Sequence, residues 1–575
     1  MNARIVRTLL LGTVCMPLLL AVAPLGAKEP SRPWLKPDPA ALRRWQDMRF
    51  GMFIHWGPVS LTGREIGWSR GTQTPVEEYD NLYKKFNPTR FNADQWVAIA
   101  KAAGVKYIVL TTKHHDGFCL WDTQFTDYNI MHSPFHRDVV KELSDACKRQ
   151  GIAFGTYYSV CDWHHPDFPL TSPGGQTKRK KFDLDAYNRY LLGQVNELVT
   201  KYGPLVTMWN DVPQMFQGRG VKTIKLVRTL QPSILVNNRT GDDGDYDTPE
   251  QTVGTFRMDR PWESCMTLSA SSQWAWGGPR DGAKPLAACL TMLVRCAGGD
   301  GNMLLNIGPE PTGAIPDCQV ERLREMGAWL AKYGQSIYAT RGGPYKPAKH
   351  LVSTRKDRTI YLHVLAWPDE SLTLPALPAK IIESSLLSGG QLRVSQTAAG
   401  VEISVPKSDR QPIDTIVVLQ LDRPAIDIAP IAVSSVGQSL TVGKTATASN
   451  VFQNMVAEYG PKMAVDDDDA TRWATDAATG QCWLEVDLGT PQTFDRAMID
   501  ECVAYGVRVK SFELQYREGS GWKTFFHGQA MGRNREVKFA PVTARHVRLS
   551  IDGEGGPTIN EFQLFAPAKR KPAPQ

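Results

Sequence analysis

Three carboxyl residues stand where they could do chemistry. Asp211 ends the apolar run PLVTMWND (204–211), Glu250 sits in DYDTPEQ (245–251), and Glu263 sits in RPWESC (260–265). Cleaving a glycosidic bond takes two such groups, one ionised to attack or to activate water and one protonated to donate to the leaving oxygen. Asp211, next to Trp209 at a strand tip, would be held rigidly, as a nucleophile requires; a strand-end cap is the competing reading. Glu250 lies in a polar loop, with freedom to move toward a leaving group. Glu263 is flanked by Trp262, where loss of water would raise its pKa. Either glutamate could instead be a surface residue or a cap.

The polar residues around these three suit a sugar. TTKHHDGF (111–118) carries His114, His115 and Asp116. Neighbours in a strand point to opposite faces, so joint metal ligation by the two histidines would need the strand to have ended there. No HExxH-type spacing accompanies them, so they read as hydrogen-bonding groups for a polar ligand, or as a structural pair. FIHWG (53–57) and GREIGWSRG (63–71) bring His55, Trp56, Glu65 and Trp68 together, and WAWGG (274–278) adds another aromatic wall. A lone Trp is normally core. Several beside imidazoles and carboxylates can cover the C–H faces of a sugar while the polar groups bond its hydroxyls.

The elements needed to hold these residues are visible as alternation. GMFIHWG (51–57), VKYIVLTTKH (105–114), IAFGTYYS (152–159), LVTMWND (205–211) and SILVNNR (233–239) read as buried parallel strands. NADQWVAIAKAAG (92–104), DVVKELSDACKRQG (138–151) and LDAYNRYLLGQVNELVTKYG (184–203) have helical spacing and a glycine near the end. Repeated β–α units predict a distorted (β/α)8-like barrel over 30–340. His55, His114, His115, Tyr158, Asp211 and Asn238 then fall at the C-terminal strand ends, where such a fold gathers its chemistry. Beyond 340, short strands without helices predict a β-sandwich over 341–423. A proline-containing linker at 424–430, a second all-β unit over 431–567 and a basic tail at 568–575 complete the chain.

At 575 residues the chain needs several cores. Its net charge of +7 is spread among acidic residues, which gives no nucleic-acid footprint. Residues 1–27 place Arg4 and Arg7 before an apolar run and small residues, the pattern of a signal peptide cleaved after Ala27. Export to the periplasm or the exterior follows, and no other run is long enough to insert in a membrane. Nine cysteines remain after cleavage, without metal-site spacing; Cys482 and Cys502 are the pair that could bridge.

At this point the motifs converge. RFGMFIHWGPVS, YIVLTTKHHDGFCLWDT, GTYYSVCDWHHP, TMWNDVP, DYDTPEQ, RPWESCMT and GGDGNMLLNIGP, in this order, resemble the glycoside hydrolase family 29 α-L-fucosidases. The resemblance implies exo-acting, retaining hydrolysis of terminal α-L-fucose from fucosylated oligosaccharides or glycoconjugates, without a catalytic cofactor or metal. It makes Asp211 the nucleophile of a covalent fucosyl-enzyme. It places His55, His114, His115, Tyr158 and Trp209 around the sugar, Glu65 and Trp68 in a Glu–Trp element, and Trp276 against the sugar's methyl side. Glu250 matches the acid/base of some members through TPE; Glu263 is the alternative, or a residue that binds substrate or supports the site. A non-catalytic carbohydrate-binding protein and a glycosidase for a related α-linked sugar are the other readings.

ATASNVF, AVDDDDATRWATD, CWLEVDLG, HVRLSI and TINEFQLF resemble a discoidin-like F5/8 type C β-sandwich, akin to the family 32 carbohydrate-binding modules. That resemblance implies a structural calcium at DDDDATRW (466–473), with Glu561 as a further ligand. A solvated acidic turn is the alternative there.

Overall fold

The computed structural model describes residues 33–172, 177–213, 215–367, 370–433, 439–467, 471–503 and 506–567. The expected signal peptide and the basic tail lie outside the described residues.

Five continuous apolar runs become parallel strands: β1 (Phe50–Ile54), β2 (Tyr107–Lys113), β3 (Ala153–Ser159), β4 (Leu205–Asp211) and β5 (Leu235–Val236). Two more, β6 (Glu263–Thr267) and β7 (Asn302–Ile307), complete a sheet of order β5-β4-β3-β2-β1-β7-β6. The gap between β5 and β6 is spanned by single parallel bridges, Asn237 to Tyr246, Asp247 to Trp262 and Glu250 to Cys265. Residues 246–250 thus stand where a regular eighth strand would, and the barrel is closed but distorted.

Helices α1 (Pro39–Met48), α2 (Val76–Asp80), α3 (Ala93–Ala102), α4 (Val139–Gln150), α5 (Leu184–Lys201), α6 (Gly220–Leu230), α7 (Leu286–Gly298) and α8 (Asp317–Tyr333) accompany the strands. Their ends follow local chemistry. Asn92, Asp138 and Asp183 accept backbone N–H bonds as N-caps of α3, α4 and α5, and α4 stops at Gly151, whose φ of 73° suits glycine.

Two cores result. Strand residues facing outward, Phe154, Tyr158 and Met208 among them, pack with helix residues such as Leu191. Those facing inward fill the barrel, with Phe53, Tyr107, Val109, Tyr157, Trp209, Leu235, Cys265 and Leu304 in one cluster closed by Trp45 and Tyr246. The interior is solid, so a ligand can enter only at the strand ends.

The next unit is antiparallel. A five-stranded sheet faces a three-stranded one, around Leu362, Leu372, Ile403 and Val417. The segment read as a linker packs against this unit: Ala425 and Ile428 are buried in its core, and the Arg355 guanidinium donates to their carbonyls at 2.8 and 2.7 Å.

The last unit pairs the long strands Gln481–Glu501 and Arg535–Gly553 around its own core of Trp473, Leu484, Phe512 and Phe562. The expected Cys482–Cys502 bridge is absent. Both are buried free thiols.

In the acidic turn, Asp466 accepts from Thr471 Oγ1 at 2.9 Å and Asp467 from Gln563 Nε2 at 2.7 Å; residues 468–470 lie outside the described residues. Among the described residues no trio of His, Cys, Asp or Glu is placed to hold a metal. No helix among them is long and apolar enough to cross a membrane.

Candidate active site

The C-terminal ends of the parallel strands open into a cavity of about 410 Å³. Asp211, the last residue of β4, lines it with a side chain 13% exposed. Tyr157 donates its hydroxyl to Oδ2 at 2.8 Å, and Arg239 Nη1 donates to Oδ1 at 2.8 Å. Burial alone would raise this carboxyl. The Arg239 charge, with His115 and the Tyr157 hydrogen bond, outweighs burial and holds it below the usual carboxylate range. The Tyr157 phenol is pushed far up, by burial first and the Asp211 charge second, so it stays a neutral donor. Just past Asp211 the chain turns through Val212 at φ 45°, a strained position for a β-branched residue.

Glu250 lines the same cavity, and its Oε2 accepts from the same Arg239 Nη1 at 3.1 Å. Its loop is tied down: Gln251 N–H donates to the Cys265 carbonyl at 2.9 Å and Cys265 N–H to that of Pro249 at 3.2 Å. The freedom expected for this loop is therefore limited. Arg239 is itself locked by Thr248, through Oγ1 at 2.9 Å and its carbonyl at 2.7 Å. Arg239 is not among the residues singled out from the sequence; its neighbour Asn238 is, and the Asn238 side chain accepts from Thr248. The signal available was a basic residue just beyond an apolar run, in the same position as Asp211.

Three histidines complete the polar wall. β2 ends at Lys113, so His114 and His115 are no longer bound to opposite faces, and both line the cavity with His55. Asn306 Nδ2 donates to the Trp274 carbonyl at 2.7 Å, which turns its Oδ1 to His55 Nδ1 at 2.6 Å. Nδ1 must then carry the proton, leaving Nε2 as an acceptor. Ser159 Oγ donates to the Cys161 carbonyl at 2.6 Å, so His115 Nδ1 donates to Ser159 Oγ at 2.7 Å. His115 Nε2 is left as a lone pair 3.7 Å from Asp211 Oδ2. His114 lies parallel to the Tyr157 ring at 5.5 Å, and its Nδ1 has no partner among the described residues. Burial depresses all three, His55 to about 3, His115 to about 4 and His114 well below its ordinary value. Each is neutral near pH 7, with one donor and one acceptor, which suits sugar hydroxyls.

Aromatic faces make the remaining walls: Phe53, Trp209, Trp274 and the half-exposed Trp68. Several expectations need correction. Tyr158 is outside the cavity, on the opposite face of β3 from Tyr157, where it donates to Gln194 Oε1 at 2.8 Å and covers the Lys113 ammonium. Trp274, not Trp276, lines the cavity. Glu65 does not line it: its carboxylate accepts the backbone N–H groups of Trp274 at 2.8 Å and Ala275 at 3.1 Å, and so holds the wall that Trp274 forms. Trp56 packs with Phe86, Phe91 and Trp96 in the outer core. Glu263 opens β6 with no exposed surface and lies beneath the cavity, bound by Trp209 Nε1 at 3.1 Å and by the Tyr107 hydroxyl. Burial pushes it up to about 7, only partly offset by these donors.

A parallel barrel that presents two carboxylates, neutral imidazoles and tryptophan faces in one small cavity defines a glycoside hydrolase. A family model described as Alpha-L-fucosidase matches residues 22–335, and one described as F5/8 type C domain matches 445–562. Human plasma alpha-L-fucosidase is 31% identical over 65% of this chain and 88% of its own. Alpha-L-fucosidase isoenzyme 1 from Paenibacillus thiaminolyticus is 32% identical, with a TM-score of 0.62 over 66% of this chain and 99% of its own. A Bacteroides thetaiotaomicron alpha-L-fucosidase of glycoside hydrolase family 29 has a TM-score of 0.61 at 26% identity, over 67% of this chain and 97% of its own. That enzyme, with one glutamate changed to glutamine, was trapped as a covalent intermediate in complex with 2-fluoro-fucosyl fluoride. The chain belongs to the alpha-L-fucosidase family.

Proposed function

We propose that the protein is an exo-acting, retaining α-L-fucosidase that works by double displacement on fucosylated glycans. One observation carries the reading: Arg239 Nη1 contacts Asp211 Oδ1 at 2.8 Å and Glu250 Oε2 at 3.1 Å. Those two oxygens therefore lie within about 6 Å of each other, a spacing that suits the close carboxyl pair of a retaining enzyme.

Asp211, kept ionised, attacks the anomeric carbon of the terminal fucose. The bond to the aglycone oxygen breaks, and that oxygen takes the proton of Glu250. Glu250, now a carboxylate, removes a proton from water, whose oxygen displaces Asp211 and releases fucose with retained configuration. His55, His114 and His115 meet the sugar hydroxyls, while Trp68, Trp209 and Trp274 shape the apolar walls. The small cavity favours one terminal residue, and the trapped Bacteroides relative supports a covalent route. Glu263 remains the alternative acid.

The test is hydrolysis of an aryl α-L-fucoside by Glu250→Ala with and without azide. Azide acceleration, with azide attached as the α-fucosyl product of retained configuration, supports Glu250 as acid/base. Acceleration confined to Glu263→Ala would reverse the assignment.

Two further proposals come from the ends of the chain. The charged, apolar and small-residue pattern of residues 1–27 supports export to the periplasm or exterior. Asp466, Asp467 and Glu561 are hard oxygen donors of the kind calcium takes, and calcium bound there would stabilise the last domain. Chelation should then lower the melting temperature, and calcium should restore it; an unchanged melting curve argues for a plain acidic turn.

A further inference from the structure

Glu263 is a carboxyl group inside an aromatic barrel. It has no exposed surface, and both residues that bind it, Tyr107 and Trp209, belong to the interior aromatic cluster. A carboxyl group buried with no charged partner costs stability, since its hydrogen bonds offset only part of the lost solvation. Its presence there asks for a reason other than stability.

The reason lies in what its partner supports. Trp209 has one hydrogen-bond donor, and that donor is committed to Glu263 Oε1 at 3.1 Å. The Tyr107 hydroxyl binds the other oxygen, so the carboxyl cannot swing away. The fixed indole is a platform: Tyr157 stacks on it at 5.6 Å and 20°, and the Arg239 guanidinium carbon lies 5.0 Å from the ring centre. Tyr157 and Arg239 are the two side chains that hold the Asp211 carboxylate from either oxygen. Trp209 and Asp211 are also two residues apart on β4, so they share a face.

We propose that Glu263 is a positioning residue, which orients Trp209 and through it sets the direction in which Asp211 presents its carboxylate. It touches no substrate and donates no proton to the leaving group. The proposal rests on Asp211 being the attacking group.

The experiment compares Glu263→Leu and Glu263→Gln on an aryl α-L-fucoside, with a melting curve for each. Glu263→Leu, folded, should lose about 100-fold in kcat at nearly constant KM, as expected for a misaligned nucleophile. Azide should not restore it. Glu263→Gln, which keeps an acceptor for the Trp209 N–H, should recover most of the loss. A folded Glu263→Leu with wild-type kcat overturns the proposal, and so does acceleration by azide. If Glu263→Leu does not fold, Trp209→Phe carries the test: kcat should fall at nearly constant KM, whereas a raised KM at unchanged kcat would make Trp209 a sugar wall only and refute the platform. If Asp211 still takes a covalent sugar label while these variants match the wild type, this inference alone fails; if Asp211 takes none, the functional reading fails first.

Discussion

Arg239 Nη1 lies 2.8 Å from Asp211 Oδ1, and this contact sets the charge state of the site. Burial pushes the Asp211 carboxyl up, and the guanidinium is the largest opposing influence. Arg239→Met should therefore let burial win, and the acid limb of the kcat/KM profile should move to higher pH. The rate at the optimum should fall by about 10²–10³, the cost of losing one preorganised charged donor. A pH–rate profile checks both, and an unmoved acid limb would remove Arg239 from control of Asp211.

Tyr157 and Tyr158 are adjacent and chemically identical, yet only one faces the cavity. Tyr157→Phe deletes a hydrogen bond to a charged carboxylate, worth about 1.5–3 kcal/mol, and should lower kcat/KM by roughly 10- to 100-fold. Tyr158→Phe removes a bond to Gln194 in the outer core and should act mainly on the melting temperature. Steady-state kinetics paired with thermal melts separates the two. The reverse pattern would mean β3 sits in the other register.

The buried histidines make stability depend on pH in a defined direction. His55 at about 3 and His115 at about 4 lie below the ordinary histidine value of about 6.5, so the unfolded chain binds protons that the folded chain does not. Their contribution is full above pH ~6.5 and is lost as pH falls toward 4, at about 1.4 kcal/mol per pH unit for each. Glu263, raised to about 7, acts the opposite way over part of this window. His55→Asn should flatten the acid slope of unfolding free energy measured by denaturant titration between about pH 6.5 and 4.5. An unchanged slope would mean His55 is protonated in the fold.

Much of this arrangement is legible in the chain itself. β1 to β5 are readable because buried parallel strands are continuous apolar runs, and α3, α4 and α5 because caps and glycine stops bracket them. β6 (ESCMT) is harder because Glu263, Ser264 and Thr267 are polar residues that are nonetheless buried. The errors at Tyr158 and Trp276 share one cause: YY and WAW offer like residues one or two positions apart. Which one enters the cavity is set by pairing with the neighbouring chain, as when Tyr157 registers with Trp209 and Ser159 with Asp211. Arg239 was hidden for a related reason, since it follows a strand only two residues long. The fate of Glu263 required knowing that Trp209 and Tyr107 both point at it.

The most direct measurement is covalent trapping with a slow 2-fluoro-fucosyl substrate, followed by mass spectrometry of the proteolysed enzyme. The account predicts one added sugar per chain, on Asp211, and loss of the label in Asp211→Asn. A label on any other residue, or full turnover with no trapped species, would contradict it.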